Sequence, residues 1–572
     1  MLQTLPNELL IMLFQGVSKK DRKALSLVSR HIHDSVKETL WHSITIKAAD
    51  EYRFNYRNRD RCPHTAENNE FYGLDSEDSE DSDAVDEFVA LGSTRFDRLT
   101  ARALSALHQF STNQLESFSW DLGTCIPPTI LGKNGVVTLN QNSLKHLSLA
   151  TDSTCDVCYN EGFKIDLSKF CQLQSLRWRG PNAASFRGPL SETIRLNCGQ
   201  LQELELDFVH CSVLWNNLDD LNAKVVFNEN YFMQEILGLR ESPLRPCFMQ
   251  ISTLSLSRVP LAAEMAHAIN FDSLTSLTLR SCSRWQQFIT GVLQLGVSIR
   301  LQKLEIQHQD SHGSDVIRDF LVAFQGLNDL AISESWPSNT IEVWNRVANH
   351  RATLKRFVYH QRMINIDNAS PDFGREQDSP HLGFFSKDLK DLQQKPLENP
   401  LTHLNLEFIA LACAPDYLKD LLLPFKTKNS LKVIHIRHSS SDSDHSGSWA
   451  RRPRTTAMAI EVDATPVADP ETEGGDTLNL QPRFREFAEW VFGPNGLPTV
   501  QFIVYGDFAY DGRGFQNLML RKSLGGDAAF QVLSEFDTSW EDVIHLYGSS
   551  LGACPVEPFL GGVTYNGITL FS

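Results

Sequence analysis

Leu173-Gln-Ser-Leu-Arg-Trp178 and Leu201-Gln-Glu-Leu-Glu-Leu206 are two copies of the short string that decides the fold. Its form is Leu-x-x-Leu-x-Leu, with another apolar residue allowed at each leucine position. Such alternation of apolar and polar residues is typical of a β-strand with one buried face. The other clear copies begin at Leu115, Leu144, Ile251, Leu274, Leu301, Leu327, Leu354, Leu401 and Leu431.

These copies recur at a nearly constant distance, and most begin 23 to 30 residues after the previous one. In leucine-rich repeats of this period, each unit supplies one strand and one helix. Because such a unit cannot bury its apolar face alone, neighbouring units stack into a curved array. We therefore predict an α/β leucine-rich-repeat solenoid, a horseshoe, over residues 98–514. Helix-like segments between the strands fit this reading: Asp315–Phe324, Ile341–Asn349, Tyr417–Phe425 and Phe484–Phe492.

Three intervals and the C-terminal end depart from the repeat period. We interpret residues of about 209–249, 361–399 and 439–482 as insertions, the last of them rich in Ser, Asp, Thr, Pro and Gly. The apolar stretch Val500–Tyr505 predicts one more strand. Residues 515–572 are then expected to cap the open end of the array.

The chain is acidic, with a formal net charge of −17 over 572 residues. Part of this charge lies in the run from Asp75 to Asp83, within a polar linker at 48–97. A run of like charges without apolar residues repels itself, so we predict disorder there. A net negative charge argues against nucleic acid as the main ligand, because binding to phosphates needs a basic surface.

The sequence gives no sign of secretion or of a membrane span. The first residues lack a basic stretch and a cleavage site, so we do not expect a signal peptide. The most apolar long stretch, Leu404–Phe425, is interrupted by Pro415 and Asp416. Eleven cysteines without a secretion signal are best interpreted as reduced thiols. These features predict a protein of the cytoplasm or nucleus that does not bind membranes.

Residues 5–46 are predicted to form a small helical unit. Leu9, Leu13 and Val17 recur every four residues and therefore share a helix face. Leu25 and Val28 extend the apolar surface. Three short helices in about 40 residues cannot bury all of these side chains. An exposed apolar patch of this kind indicates a binding surface.

This N-terminal segment resembles the F-box family, in which an F-box directly before leucine-rich repeats recurs, and the divergent repeats with long polar insertions resemble fungal F-box proteins. The matching features are Leu5-Pro6, Glu8-Leu9, Leu13-Phe14, Asp21, the string Leu27-Val28-Ser29-Arg30, and Trp41. Arg22 and His31 depart from the usual pattern.

The resemblance implies an all-α three-helix F-box module at residues 1–47. It also implies that this module docks on the Skp-type adaptor of a cullin–RING ubiquitin ligase. The implied adaptor-binding residues are Leu5, Pro6, Leu9, Leu13, Phe14, Val17, Leu25 and Val28.

A substrate is expected to bind the concave strand face of the repeats. Side chains alternate along a strand, so residues between the core leucines point outward. Both charge signs occur there in local blocks, which suits a protein partner better than a polyanion. The predicted substrate-binding residues are Arg177, Arg179, Glu203, Glu205, Asp207, Arg280, Lys303, Glu305, Arg356, His360, His403, Glu407, His435 and Arg437.

The sequence contains no convincing catalytic motif. Cys155 and Cys158 have the spacing of a zinc-binding pair, but no second close pair follows them. Cys171 and Cys198 are interpreted as core thiols. We therefore predict a non-catalytic substrate receptor of a ubiquitin ligase, with no cofactor and no metal. The alternatives are a leucine-rich-repeat scaffold without a role in ubiquitin transfer and, less well supported, a metal-dependent enzyme.

Overall fold

A computed structural model of the protein defines the architecture. The described residues are 9–10, 13–14, 17, 21, 24–25, 27–32, 42–47, 96–153, 155, 164–182, 185–208, 231–239, 245–308, 313–334, 340–361, 392–413, 415–437, 480, 482–506, 508, 517–523 and 529–555. The predicted linker lies outside these ranges except for residues 96 and 97, which begin a helix, and so do the greater parts of the three predicted insertions.

The chain divides into two compact units. The first comprises Met1–Leu274 and Ser283–Leu295, and the second comprises Thr275–Cys282 and Gly296–Ser572.

The first unit contains six parallel strands that neighbour one another in chain order. The register aligns equivalent motif positions, for example Leu147 with Leu176 and Leu176 with Leu204. The strands are β1 (Ser43–Lys47), β2 (Ser117–Asp121), β3 (His146–Ala150), β4 (Ser175–Arg179), β5 (Glu203–Asp207) and β6 (Thr253–Ser257).

The second unit continues the same pattern and ends differently. Its parallel strands are β7 (Ser276–Arg280), β8 (Lys303–His308), β9 (Asp329–Glu334), β10 (Arg356–Gln361), β11 (Phe408–Leu411), β12 (Val433–Arg437) and β13 (Phe502–Gly506). Two antiparallel strands follow at its end: β14 (Leu518–Lys522) and β15 (Phe530–Val532). Both belong to the region predicted as the C-terminal cap.

Helical segments connect most of the strands. In the first unit they are a helix over 96–107, α1 (Pro128–Leu131), α2 (Val136–Asn140), α3 (Ser191–Asn197), α4 (Trp285–Leu295), π-helical turns at Phe186–Leu190 and Phe232–Ile236, and a 3-10 helix at Ala263–Ala268. In the second unit they are α5 (Gly313–Ala323), α6 (Thr340–Val347), α7 (Pro415–Leu422), α8 (Pro482–Phe492), α9 (Thr538–Leu551), and 3-10 helices at Ala348–His350, Pro396–Glu398, Pro400–His403 and Leu423–Thr427. The four predicted helices are confirmed as α5 to α8.

The motif leucines build the core on the helix side of the strands. Leu176, Trp178, Leu204 and Leu206 have almost no exposed surface. Burying one such side chain contributes roughly 1.5–3 kcal/mol, so the motif leucines contribute much of the stability that stacked repeats share. The mixed α/β architecture is confirmed, and parallel strands in chain order within each unit are consistent with a solenoid.

A buried polar side chain at a helix end secures the first leucine of its repeat. The side-chain oxygen of Asn197 accepts a hydrogen bond from the Leu173 N–H at 2.9 Å. Gln141 accepts one from the Leu115 N–H at 2.9 Å in the same way. Because an unpaired buried N–H is costly, these contacts fix where each strand begins. The leucine motif alone did not predict them.

One predicted strand is placed wrongly. The string beginning at Leu401 does not form a strand, since Pro400–His403 is a 3-10 helix. Asn399 caps this helix by accepting a hydrogen bond from the Leu401 N–H at 3.0 Å. The strand is β11, whose leucine pattern begins at Leu406 instead. Two overlapping copies of the motif fit the sequence here, and the capped turn selects the second.

The prediction of a helical unit up to Ile46 is wrong at its end. Ser43–Lys47 is strand β1, and it pairs in parallel with β2. Ile44, Thr45 and Ile46 are β-branched, and such side chains favour extended backbone over helix. The sheet of the first unit therefore begins about 70 residues before the first predicted repeat strand at Leu115.

Candidate functional site

The N-terminal helical segment contains a core of its own. Leu10, Phe14 and Ile32 are buried together, and half-buried Leu25 packs against them. Leu10 and Phe14 lie four residues apart and therefore share one helix face. Phe14 and Leu25 were predicted to bind the adaptor, and the structure places both of them in this inner cluster.

The adjacent face of the first helix is apolar but exposed. Leu9 and Leu13 are 48% and 52% exposed, and Val28 on the following turn is 61% exposed. Leu27, which the sequence reasoning did not assign to the site, is 87% exposed. We call Leu9, Leu13, Leu27 and Val28 the exposed N-terminal residues. Large apolar side chains left in water over so short a segment indicate a docking surface.

Of the three remaining predicted adaptor-binding residues, the structure describes one. Val17 is half-buried. Leu5 and Pro6 lie outside the described residues.

In the first unit, the charges predicted for the substrate face pair with one another across adjacent strands. On the sheet face away from the motif leucines, called here the open face, Arg177 of β4 contacts Glu203 of β5 at 2.5 Å. Arg179 contacts Glu205 at 2.7 Å, and Arg177 lies 3.7 Å from the same carboxylate. The predicted basic and acidic blocks are therefore neighbours that offset each other. Their side chains remain partly exposed, with Arg177 at 47%.

Asp207, the last predicted residue of this block, is buried. Its carboxylate accepts a hydrogen bond from Arg258 at 2.9 Å. The open face of the first unit thus combines a strip of ion pairs with the small polar side chains Ser148 and Ser255, both half-buried.

In the second unit, four residues expected to be exposed on the strand face are buried. Glu305, His360, His435 and Arg437 have at most 2% of their surface exposed. Their strand positions do place them on the open face, as predicted. The expectation of exposure is wrong because α9 and the residues after it cover this face.

Glu305 is ionised although it is buried. Arg280 donates two hydrogen bonds to its carboxylate, at 2.6 and 3.2 Å, and the Cys554 N–H donates a third at 2.7 Å. Burial acts to raise the pKa of Glu305, but the charge and hydrogen bonds of Arg280, together with the Cys554 N–H, lower it overall. The buried negative charge is therefore compensated locally.

The rings of His360 and His435 are held by neighbouring groups on this face. Burial, followed by the nearby charge of Arg437, lowers the pKa of His435 to about 3. Its Nε2 donates to the Gly506 carbonyl at 2.9 Å. His360 accepts a hydrogen bond from Arg437 at 3.1 Å through Nδ1. Neither ring is available to a ligand while α9 is in place.

The remaining predicted residues of the second unit are not fully buried. Lys303, Arg280 and Arg356 are half-buried, and Arg356 donates to Asp329 at 2.7 Å. His403 is exposed at the end of the 3-10 helix rather than on a strand. Glu407 precedes β11 and contacts Lys432 at 3.5 Å.

A buried polar cluster lies at the other side of the second unit's strands, near their C-terminal ends. The Ser314 hydroxyl donates to the Glu334 carboxylate at 2.8 Å. The hydroxyls of Thr340 and Tyr359 share a hydrogen bond of 3.0 Å. Burial raises the pKa of Glu334 to about 7, and the Ser314 hydroxyl only partly counteracts this. The sequence reasoning did not find this cluster, because its members come from separate repeats.

The cysteines give no metal site in the part of the chain that the structure describes. There, no group of three or more His, Cys, Asp or Glu side chains is arranged to hold a metal ion. Cys155 is buried, whereas Cys158 lies outside the described residues. The prediction that Cys171 and Cys198 are core thiols is wrong, since Cys171 is exposed and Cys198 only half-buried.

Together these features are consistent with a solenoid protein whose N-terminal helices leave apolar side chains exposed. The family description "F-box-like" matches residues 2–47, which is less than a tenth of the chain. The chain therefore carries an F-box-like domain, and such a domain implies binding to a Skp-type adaptor. Comparison with curated proteins finds no matching relative.

A helix needs about 20 mostly apolar residues to cross a bilayer. Within the described ranges, none is both long enough and apolar enough to cross a membrane.

Proposed function

We propose that this protein is the substrate-recognition subunit of a Skp–cullin–F-box type ubiquitin ligase. In this proposal, the F-box-like domain binds the Skp-type adaptor, and leucine-rich repeats of the fungal F-box type bind a protein substrate. The chain itself catalyses no reaction. It raises the effective concentration of the substrate near a conjugating enzyme held elsewhere in the complex. It acts in the cytoplasm or nucleus, where its cysteines stay reduced.

The observation that carries the proposal is the exposure of Leu9 and Leu13 inside the segment that matches the F-box-like family. Their helix already has an inner face, formed by Leu10 and Phe14. The outer leucines therefore do not serve the segment's own core. An apolar face of this kind is stabilised when a partner buries it, at roughly 25 cal/mol per Å² of apolar surface removed from water.

The arrangement of the strands supports the proposed binding of a protein substrate. Parallel strands in chain order present a broad sheet face with regularly spaced side chains. In the first unit this face carries both charge signs and is partly exposed, as protein partners require.

The proposal is tested by affinity capture with mass spectrometry, using full-length wild type and the double variant Leu9→Asp/Leu13→Asp. We expect the variant to lose the adaptor and the cullin while it retains the substrate. Point variants are preferable to deleting residues 1–46, because the deletion would remove most of β1 and expose the edge of β2. Capture of adaptor and cullin by both forms would contradict the proposal.

The substrate is expected to associate through the open face of the first unit. Replacing Arg177 and Arg179 by Glu places four carboxylates on adjacent strands, because Glu203 and Glu205 lie beside them. This should lower the association rate of the captured substrate by roughly tenfold at low salt, with a changed salt dependence. Surface plasmon resonance at several salt concentrations measures both quantities.

Two controls accompany this charge reversal. Arg318→Glu replaces another ion-paired arginine, on helix α5, and should leave the association rate near wild type. The charge swap Arg177→Glu/Glu203→Arg keeps opposite charges in contact at these two positions. It therefore separates an effect of charge on the association rate from an effect of the lost ion pair on the stability of the fold. If Arg318→Glu slows association and the open-face variants do not, the substrate binds to the helices.

A further inference from the structure

Helix α9 lies on the open face of the second unit and not among the connecting helices. Val543 and Leu551 belong to an apolar cluster with Val358, Val433 and Val504, which come from β10, β12 and β13. These three strand residues alternate with the motif positions, so they point away from the main core. The cluster under α9 is therefore separate from the core that the repeats build with α5 to α8.

The contact is made by one side of α9 only. Tyr547 stacks on Phe408 of β11, with ring centroids 5.4 Å apart. Val543, Tyr547 and Leu551 are spaced by four residues, so they share one helix face. The opposite face is in water, with Leu546 61% exposed. The helix thus sits on the strands as an amphipathic ligand sits on a groove.

The residues after α9 are held through their backbone. The Cys554 N–H donates to Glu305 at 2.7 Å, and its carbonyl accepts from Arg437 at 3.0 Å. Gln307 donates to the Pro555 carbonyl at 2.8 Å. Side chains from two strands therefore hold the backbone of Cys554 and Pro555 in a turn, in which Cys554 has a left-handed conformation (φ 49°) and a buried side chain. A chain that adopts the same turn can make the same three hydrogen bonds.

The charges in this contact lower the cost of releasing α9. Glu305 and Arg437 are almost completely buried, and burying charged groups carries a large desolvation penalty. When α9 leaves, both groups regain water, which offsets part of the apolar surface that becomes exposed. An all-apolar face would lack this compensation. The composition of the face is therefore suited to reversible occupation.

We propose that the open face of the second unit is a docking groove for a helical peptide, occupied in the free chain by residues 537–555. The fitting partner segment is an amphipathic helix with apolar side chains at the spacing of Val543, Tyr547 and Leu551, followed by a turn like that at Cys554. The C-terminal segment competes with it for the same face. This inference rests on the proposed function, because it adds a second docking place for a protein partner to the open face of the first unit.

The probe for this groove is a fluorescent peptide with the sequence of residues 537–555. In full-length Val543→Asp, a carboxylate replaces a buried side chain and α9 undocks. We expect the peptide to bind this variant at least about tenfold more tightly than wild type. The matched control is Leu546→Asp, on the exposed face of the same helix, which should behave as wild type. A peptide with Asp in place of Tyr547 and Leu551 should not bind.

Hydrogen exchange on the same variants shows whether only α9 is released. We expect faster exchange in α9 of Val543→Asp, with β10 to β12 still protected. Loss of protection in those strands would identify α9 as an obligatory part of the fold and overturn the proposal. Release of α9 without peptide binding would overturn it as well.

Gln307→Ala provides a milder test that does not disturb the apolar cluster. It removes one hydrogen bond to Pro555, so exchange at the C-terminal end of α9 should be faster while the strands stay unchanged. Unchanged exchange in α9 would contradict the proposed backbone recognition. None of these measurements needs the adaptor or a substrate, so their failure is distinguishable from failure of the proposed function.

Discussion

Full-length Leu9→Asp/Leu13→Asp is expected to bind a Skp-type adaptor at least about 100-fold more weakly than wild type. Each substitution would bury an unpaired carboxylate against the partner, which costs on the order of 2 kcal/mol or more. Both leucines are about half exposed in the free chain, so the folded protein should tolerate the change. Isothermal titration with the purified adaptor measures the loss.

The matched control for this variant is Leu139→Asp/Leu196→Asp. These leucines lie on α2 and α3 of the first unit and are 45% and 43% exposed. They place the same two charges on the chain outside the F-box-like segment, so adaptor binding should remain at the wild-type level. Equal losses in both double variants would show a nonspecific effect of charge. Wild-type affinity in Leu9→Asp/Leu13→Asp would mean that the adaptor does not use this face.

Glu334→Gln is expected to stabilise the second unit at pH 8 by up to about 3 kcal/mol. The folded protein holds the Glu334 proton up to a pKa of about 7, whereas the unfolded chain releases it near 4.5. The unfolded state therefore binds fewer protons between these values, and stability falls as the pH rises from 4.5 to 7. Gln cannot ionise, and its amide oxygen can still accept the hydrogen bond from Ser314.

Chemical denaturation at pH 5 and pH 8 measures this effect. The gain of Glu334→Gln over wild type should be small at pH 5 and large at pH 8. Glu192→Gln on α3 is the control, because Glu192 is exposed and its replacement should change little at either pH. A gain that does not grow with pH would show that Glu334 is ionised in the folded protein.

The leucine period was sufficient to predict most of the strands. Leu176 and Leu204 occupy equivalent positions and pair in register, because the repeat length fixes which strand comes next. The period failed at Leu401, where a second copy of the motif begins at Leu406. A local hydrogen bond from the Leu401 N–H to Asn399 decides between the two frames. Short apolar motifs do not carry that information.

The apolar pattern of the N-terminal helix did not predict which of its faces is buried. Leu9, Leu10, Leu13 and Phe14 are all apolar, so two adjacent faces of the helix are equally suited to a core. Packing with Ile32 selects Leu10 and Phe14 for the inside. The exposed pair was within the predicted site, and Leu27 could have been added because it belongs to the same apolar string.

The burial of the second unit's open face by α9 could not be predicted from the sequence, for a different reason. Strand alternation correctly placed Glu305 and His435 on the open face. Their burial depends on α9, which comes from more than 100 residues further along the chain than His435. The amphipathic spacing of Val543, Tyr547 and Leu551 was visible, but spacing alone does not name the surface that a helix covers.

In the proposed function, the chain directs a bound substrate to ubiquitin transfer. The most direct test of this function is the half-life of the captured substrate in cells that express either wild type or Leu9→Asp/Leu13→Asp as the only form of the protein. We expect a longer half-life of the substrate with the double variant, while the variant still captures the substrate. If the half-life is unchanged although adaptor binding is lost and the substrate is still bound, the proposed function is contradicted. The protein would then be a repeat scaffold without a role in ubiquitin transfer.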